Sequence, residues 1–325
     1  MRVAMIGLGD IAEKAYLPVL SATPGLDLLL CTRDRGVLER LGDSHRVAER
    51  FTSVEQVIDA EAEAAFVHAA TGAHVEIVET LLRAGVHVYV DKPIADNLAE
   101  AEKLVRLAGK LRRSLMVGFN RRYAPGYVAL RDLPRDLIIM QKNRARYPDD
   151  PRRAVFEDFI HVVDTLLFLA PGDISDLRID VRVREGLLEH VVLHLSGQVS
   201  GSGEGTGLVG RVSRHVPPAS GQEERSVEFT ALGIMGRTGG ASEETCEIIG
   251  GGHTRRVVNL ADVIDYSGGE TVTRRGDWIP VARQRGIEQL CHEFLASVRE
   301  GRLISAEDAL PTHAICEQIV TAATH

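Results

Sequence analysis

Residues 2–12, with the sequence RVAMIGLGDIA, join a short apolar run to a glycine-rich turn. The apolar run predicts a buried strand, and the residues after the turn are compatible with a helix that ends near residue 21. A GxGxxG/A turn between a strand and a helix is typical of dinucleotide-binding folds, and Ala12 fills the third glycine position, where alanine is tolerated. The start of the chain therefore predicts a nucleotide site.

Each residue of this turn has a physical reason to be there. Gly7 permits the tight turn, and Gly9 lets the backbone approach a pyrophosphate. The helix that begins at Asp10 and Ile11 offers unpaired backbone N–H groups at its positive end. We expect these four residues to bind the cofactor.

The first third of the chain alternates between strand and helix patterns. Strands are expected over residues 2–6, 27–31, 64–70, 86–90 and 114–119, and helices over residues 35–41, 74–84 and 98–111. This alternation predicts an α/β domain, residues 1–120, with a parallel, doubly wound (Rossmann) sheet.

The alternation stops near residue 120, and residues 121–325 predict an α+β domain built on a mostly antiparallel sheet. Strands are expected over residues 179–183, 191–195, 226–232 and 246–249, and helices over residues 154–169, 286–298 and 306–323. Residues 197–221 are rich in Gly and Ser and predict a long hairpin or loop.

Composition narrows the class of protein. The net charge of −8 argues against a nucleic-acid partner, and no apolar run approaches the roughly 20 residues that a membrane helix needs. The four cysteines are scattered, which predicts neither a metal site nor a disulfide framework. With a first strand at residue 2, we expect a cytoplasmic enzyme without a leader peptide.

The end of the second predicted strand bears on the cofactor. Thr32 stands where NAD-binding proteins usually carry an acidic residue, and Arg33 follows with a guanidinium suited to a 2′-phosphate. This favours NADP. Asp34 either caps the next helix or contacts the ribose of NAD, so NAD stays an alternative.

Polar clusters follow three other predicted strands, at the edge where open α/β sheets bind ligands. They are Thr71 with His74, Asp91-Lys92-Pro93, and Arg121 with Arg122. Lys92, at a strand end and followed by a proline, can reach a bound nicotinamide or the substrate, so it is also an expected cofactor contact. A helix cap, a surface lysine and solvated arginines are the plain alternatives for these three clusters.

The predicted helix over residues 154–169 carries Glu157, His161 and Asp164 at positions i, i+4 and i+7, on one narrow stripe. A carboxylate beside an imidazole can orient the ring and raise its pKa. The alternative is a structural histidine.

Together these residues resemble the Gfo/Idh/MocA oxidoreductases, the family of glucose–fructose oxidoreductase and inositol dehydrogenase, over nearly the whole chain. The motifs that carry the resemblance are GLGDIA at 7–12, DKPIA at 91–95, GFNRRY at 118–123 and the helix with Glu157 and His161. The segment DFIHVVDT at 158–165, with Gly233-Ile234-Met235 and Glu243-Glu244, is most similar to the MviM-like virulence-factor subgroup.

The resemblance implies a large open sheet in the second domain, whose exposed face forms homodimers or homotetramers. It implies that Lys92 and His161 are the catalytic lysine and histidine, and that Thr71 and His74 line the cofactor. Two departures from the family pattern are Asp91, where glutamate is commoner, and Glu157, where aspartate is usual. The longer Glu157 side chain puts a sugar substrate in doubt.

The expected reaction is hydride transfer between a nicotinamide and a small polar substrate, a sugar, polyol or related alcohol or carbonyl, held between the domains. His161 takes the hydroxyl proton, Lys92 hydrogen-bonds the same oxygen and Glu157 orients His161. Arg121, Arg122 and Asp164 are the expected substrate contacts.

Three alternatives stay open at this point. They are an NADPH-dependent imine reductase of secondary metabolism, a redox-neutral glycosidase that uses bound NAD transiently, and a non-catalytic cofactor-sensing regulator. The substrate and the physiological direction do not follow from the sequence.

Overall fold

The computed structural model describes residues 1–198 and 228–324, which form two compact units. The first unit contains Met1–Ala124 and Trp278–Glu317, and the second contains the described residues within Pro125–Asp277 and Gln318–His325. The predicted division after residue 120 differs from this one because Trp278–Glu317 belongs to the first unit, where Phe294 packs edge-on against Phe66. Of the predicted loop 197–221, all but the first two residues lie outside the described part.

The first unit is built on a six-stranded parallel sheet with the order β3-β2-β1-β4-β5-β6. The strands are β1 (Arg2–Ile6), β2 (Asp27–Cys31), β3 (Glu49–Phe51), β4 (Ala64–Val67), β5 (His87–Val90) and β6 (Leu115–Val117). All four residues of β4 are buried, as expected for a strand covered by helices on both faces. The predicted doubly wound sheet is confirmed. Only β3 was missed, because Glu-Arg-Phe has no apolar run to mark it.

The second unit contains an eight-stranded sheet with the order β14-β13-β12-β11-β7-β10-β9-β8. The strands are β7 (Leu137–Asn143), β8 (Asp173–Arg184), β9 (Leu187–Gln198), β10 (Glu228–Gly236), β11 (Glu243–Gly250), β12 (His253–Val258), β13 (Asp262–Tyr266) and β14 (Glu270–Thr273). Only the pair β7–β10 is parallel, so the predicted mostly antiparallel sheet is confirmed. Burial alternates along β7, β10 and β11, which means that one face of the sheet is covered.

Eleven α-helices belong to the part of the chain that the structure describes. They are α1 (Leu17–Ala22), α2 (Arg35–His45), α3 (Val54–Asp59), α4 (Thr71–Arg83), α5 (Leu98–Leu111), α6 (Pro125–Val128), α7 (Pro151–Ala154), α8 (Ile160–Leu169), α9 (Val281–Gln284), α10 (Ile287–Arg299) and α11 (Leu310–Thr324). Polar side chains accept N–H groups at several helix starts, among them Asp34, Ser53 and Asn97.

Helix α8 covers the buried face of the eight-stranded sheet. A Cβ atom on Gly233 of β10 would lie 2.9 Å from Val162 and 3.0 Å from Leu166, so the glycine allows helix and strand to approach closely. The single helix predicted over residues 154–169 is interrupted, because a π-helical turn, Val155–Phe159, separates α7 from α8.

Candidate active site

The glycine turn after β1 has the form that its sequence predicts. Gly7 has a φ of +87° and donates its N–H to the carbonyl of Cys31 at 2.9 Å. A Cβ atom on Gly7 would lie 2.5 Å from the backbone nitrogen of Ala69, whereas one on Gly9 would meet nothing within 4 Å. Gly7 is therefore required by the protein itself, and Gly9 faces open space.

The helix after this turn begins at Asp10 and contains a π-helical turn, Ala12–Tyr16, ahead of α1. Asp10 is exposed and forms an ion pair with Lys14, and the Ile11 side chain is 44% exposed. Open space at Gly9 beside a helix start fits the pyrophosphate of a dinucleotide, which needs close backbone approach and N–H donors.

The end of β2 has two charged side chains in different settings. Asp34 Oδ1 accepts the N–H of Val37 at 3.0 Å and so caps α2. The Arg33 side chain is exposed, and Thr32 is half-buried with its N–H donated to the carbonyl of Phe51 at 3.1 Å. One of the two carboxylate oxygens of Asp34 is therefore already engaged in a hydrogen bond at the start of α2.

Thr71 and His74 lie on the first turn of α4. The N-cap residue is Ala70, so the alternative interpretation of Thr71 as a plain cap is wrong. His74 is buried, and its Nδ1 and Nε2 lie 2.8 Å from the carbonyl oxygen of Pro93 and 2.9 Å from that of Ala69. Burial lowers the pKa of His74 by more than these carbonyls raise it. His74 thus links the ends of β4 and β5.

Lys92 follows β5 at the same edge of the sheet. Its side chain is half-buried, its N–H donates to Asp91 Oδ1 at 2.8 Å, and the Lys92–Pro93 peptide bond is cis. Lys92 is therefore held next to the turn that contains Gly7, through Ala69, His74 and Pro93.

Arg121 and Arg122 lie on a 3₁₀ turn, Asn120–Tyr123, after β6. Arg121 is buried, and its Nη1 donates to Asn120 Oδ1 at 3.3 Å. Arg122 forms an ion pair with Asp308 and lies 5.0 Å from the ring centre of Phe119, in a small pocket of the first unit. A substrate that binds Arg122, as predicted, would therefore compete with Asp308 for its guanidinium.

His161 lies in the first turn of α8 and is 8% exposed, while Asp164 is 1% exposed. Glu157, in contrast, has a side chain 47% exposed, and its Oε2 lies 3.5 Å from Arg153 Nε. Of the three residues of the predicted stripe, Glu157 is therefore exposed, whereas His161 and Asp164 are buried. Glu157 lies on the π-helical turn, whose period differs from that of the α-helix assumed in the prediction.

Known proteins resemble this chain in sequence and in fold. The family model of the oxidoreductase family with an NAD-binding Rossmann fold, GFO_IDH_MocA, matches residues 1–119. A crystal structure of the dehydrogenase MviM from Clostridium difficile superposes with a TM-score of 0.86 and 27% identity, over 99% of both chains. Residues 1–119 thus match the Gfo/Idh/MocA oxidoreductases in sequence, and the whole chain is similar in fold to the MviM dehydrogenase. The MviM neighbour is consistent with the MviM-like subgroup.

Two curated proteins are similar to this chain over shorter stretches. YceM of Salmonella typhimurium, described as an oxidoreductase, is 41% identical over 53% of this chain and 57% of its own length. The myo-inositol dehydrogenase Hyg17 of Streptomyces leeuwenhoekii is 35% identical over 40% of each chain. The chain thus spans about half the length of the curated relatives it matches.

Sequence reasoning missed a buried aromatic cluster near Lys92. The Tyr16 and Tyr89 hydroxyls lie 2.7 Å apart, and the His68 ring packs on Tyr16 with 4.1 Å between ring centres. His68 Nδ1 lies 3.8 Å from Asp91 Oδ2. Burial alone would raise the pKa of Asp91, but His68 and Lys92 outweigh it, and the pKa lies below its usual value. Asp91 is therefore a carboxylate beside Lys92.

A second missed feature is the environment of Asp158, three residues before His161. Its carboxylate lies 3.2 Å from Lys142 Nζ and 3.0 Å from Arg237 Nη1, and it also pairs with Arg144. Burial would raise the pKa of Asp158, but the three cations hold it well below the usual range. Lys142, Arg144 and Arg237 all belong to or follow strands of the sheet, so they tie the π-helical turn to β7 and β10.

Two features are absent from residues 1–198 and 228–324. Within these ranges, no helix has the length and apolar character that crossing a membrane would require. No group of three or more His, Cys, Asp and Glu side chains there is placed to hold a metal ion.

Proposed function

We propose that this Gfo/Idh/MocA protein is an NADP-dependent oxidoreductase acting on a small polar alcohol, or on the corresponding carbonyl compound. One observation carries the proposal. The carboxyl ends of β1, β4 and β5 bring the glycine turn and Lys92 to one edge of the sheet, linked through Ala69, His74 and Pro93. In open α/β sheets this edge is where nucleotide and substrate bind.

The residues at the glycine turn and at the end of β2 would hold the cofactor. Gly7, Gly9 and the helix that begins at Asp10 would hold the pyrophosphate, with Ile11 and Thr71 beside it. The exposed Arg33 would hold a 2′-phosphate, because its guanidinium can donate two parallel hydrogen bonds. Thr32 brings no negative charge to this position, and Asp34 already caps α2, which supports NADP over NAD.

The bound cofactor supplies the acceptor or donor of the hydride. The protein's own task is to handle the proton of the substrate hydroxyl, and we assign that to His161, with Lys92 as hydrogen-bond donor to the same oxygen. Lysine at its ordinary pKa near 10.4 is a better donor than base. Glu157 is the proposed orienting carboxylate for His161, and Arg121, Arg122 and Asp164 are the proposed substrate contacts.

A polyol is the substrate class that the relatives favour. Hyg17 is named a myo-inositol dehydrogenase, and its similarity covers 40% of this chain. We therefore propose an inositol-like polyol or a sugar as substrate. The buried free thiols of Cys31, Cys246, Cys291 and Cys316 are consistent with a reducing compartment, and we place the reaction in the cytoplasm.

Cofactor binding is the first experiment, followed by the fluorescence of NADPH and NADH. We expect NADPH to bind at least about tenfold more tightly, and Arg33→Ser to remove that preference without changing NADH binding. Lys110→Ser, at an exposed lysine of α5, is the matched control. Binding of neither cofactor would overturn the oxidoreductase proposal, and a preference for NADH would move the ribose contact to Asp34.

Turnover is the second experiment, with NADP⁺ and a panel of polyols and sugars that includes myo-inositol. We expect Lys92→Met and His161→Asn each to lower kcat by about 10²- to 10⁴-fold, the range for a general acid or base. Cofactor affinity should stay within about threefold in both variants. Full turnover by Lys92→Met would refute the role assigned to Lys92.

We also propose that the chain forms a homodimer or homotetramer through the open face of its eight-stranded sheet. Half-buried apolar side chains meet there across the strands, with Ile234 opposite Val192 and Leu232 opposite Ile139. Apolar patches of this kind mark association surfaces. Light scattering of the wild type and of Ile234→Glu tests this, because a wild-type monomer contradicts it.

A further inference from the structure

Two buried histidines hold the two residues that follow Lys92. His74, on α4, contacts the carbonyl oxygen of Pro93 at 2.8 Å. His313, on α11, accepts the backbone N–H of Ile94 with its Nε2 at 3.2 Å, although the two residues are 219 positions apart. We propose that His313 is a positioning residue for Lys92, an inference that rests on the role proposed for Lys92 above.

The hydrogen bonds of His313 determine its protonation. Because Nε2 accepts from Ile94, the ring proton must lie on Nδ1, which is 2.9 Å from the carbonyl oxygen of Ala309 and donates to it. The side chain is fully buried, and burial lowers its pKa to about 4. Near neutral pH the ring is therefore neutral, with one donor and one acceptor in fixed places.

The backbone of this loop gives His313 a structural task. After β5 the chain leaves the sheet, and Pro93 has no N–H to donate. Ile94 is itself fully buried, so its N–H requires an acceptor inside the protein. A third support from the same helix acts farther along, where Glu317 Oε2 accepts the N–H of Leu98 at 3.3 Å.

The first two turns of α11 thus fix the backbone next to Lys92 from one side, and α4 fixes it from the other. Loss of the Nε2 acceptor would force Ile94 to find another partner and would move the backbone two residues from Lys92. A displacement of about 1 Å at a reacting group costs on the order of 100-fold in rate.

The test compares His313→Gln with His313→Asn. The Gln side chain can place an oxygen near the position of Nε2 and keep the Ile94 bond, whereas Asn reaches only to the position of Nδ1. The exposed His292 of α10 supplies the matched control, His292→Asn. The first readout is the rate at which acetic anhydride acetylates Lys92, followed by peptide mass spectrometry, with exposed Lys110 as internal reference.

We expect His313→Asn to raise the acetylation rate of Lys92 relative to Lys110 by about fivefold or more, because a released loop exposes the half-buried amine. His313→Gln and His292→Asn should stay within about twofold of the wild type. Equal rates in His313→Asn and the wild type would overturn the inference. If His313→Asn does not fold, the test rests on His313→Gln. An acetylation rate of Lys92 that changes about fivefold in His313→Gln would also overturn the inference.

The second readout separates this inference from the proposed function. With myo-inositol and NADP⁺, His313→Asn should lower kcat about 10- to 100-fold while the affinity for NADPH stays within about twofold. His313→Gln should restore most of kcat. A normal kcat in His313→Asn beside an inactive Lys92→Met overturns the inference alone. Full activity of Lys92→Met overturns the role of Lys92 and this inference with it.

Discussion

Gly7 and Ala69 touch backbone to backbone, since a Cβ atom on Gly7 would lie 2.5 Å from the Ala69 nitrogen. Gly7 also has a φ of +87°, a conformation that side chains disfavour. A Cβ atom on Gly9, two residues later, would have no protein atom within 4 Å. Two glycines of one turn therefore serve different purposes, the first the fold and the second the ligand.

Alanine substitutions separate these purposes. We expect Gly7→Ala to destabilise the protein by about 2–4 kcal/mol, through strain and backbone overlap, and to abolish cofactor binding with it. Gly9→Ala should change the free energy of unfolding by less than about 1 kcal/mol yet weaken NADPH binding about tenfold or more. Urea unfolding and fluorescence titration measure the two effects. Equal loss of stability in both variants would show that Gly9 is also structural.

The sequence predicted the parts of the fold that depend on local patterns. The glycine turn, the buried strands of the first sheet and the long helix α5 have apolar runs or caps that mark them. The predicted strand over residues 64–70 is too long by three residues, because β4 ends at Val67 and His68 begins the loop to α4.

Contacts between distant residues had no such signal. The bond between His313 and Ile94 spans 219 positions, and the pairing of Arg237 with Asp158 spans 79. The residues around each partner form no local sequence motif that would predict these contacts. The π-helical turn, Val155–Phe159, likewise cannot be predicted from a pattern that assumes a constant helical period. Glu157 within this turn is exposed, whereas His161 is buried.

Glu157 therefore offers a prediction about its proposed orienting role. Its carboxylate is 47% exposed and pairs with exposed Arg153, and such pairs are weak in water. We expect Glu157→Gln to lower kcat by about tenfold or less, and Glu157→Asp by less still, against about 10²-fold or more for His161→Asn. Steady-state kinetics with NADP⁺ and myo-inositol measure this. A loss in Glu157→Gln as large as in His161→Asn would show a tightly coupled pair.

The buried ion pairs of Asp158 predict that replacing this residue lowers the free energy of unfolding strongly. Replacing it by Asn leaves Lys142 and Arg237, 7% and 1% exposed, beside a neutral amide. Breaking a buried ion pair in this way costs about 3–5 kcal/mol. Asp176→Asn, which removes the partner of the 65% exposed Arg178, should cost less than about 1 kcal/mol.

The measurement is urea unfolding followed by far-UV circular dichroism, because the single tryptophan, Trp278, is 96% exposed and reports little. The pH dependence has a defined sign. The pKa of Asp158 is depressed in the folded protein, so its contribution is present above the unfolded pKa of about 3.9 and is lost as the pH falls further. Equal costs in Asp158→Asn and Asp176→Asn would contradict this account.

His313 predicts a second loss of stability in acid, at higher pH. Burial lowers its folded pKa to about 4, whereas the unfolded value is near 6.5. Between these values the unfolded chain binds more protons, so stability falls as the pH drops from about 6.5 to about 4, by roughly 3 kcal/mol in total. His74, whose pKa is also lowered, acts in the same direction.

His313→Gln removes the titrating ring while keeping an acceptor for Ile94. The free energy of unfolding of this variant is measured in urea at intervals from pH 7 to pH 4. It should fall less steeply with decreasing pH than that of the wild type, and the difference in slope should correspond to at most about one bound proton. The matched control is His292→Gln, at an exposed position of α10. Parallel curves for wild type and His313→Gln would mean that the ring is protonated in the folded protein, and the Nε2 acceptor for Ile94 would then be lost as well.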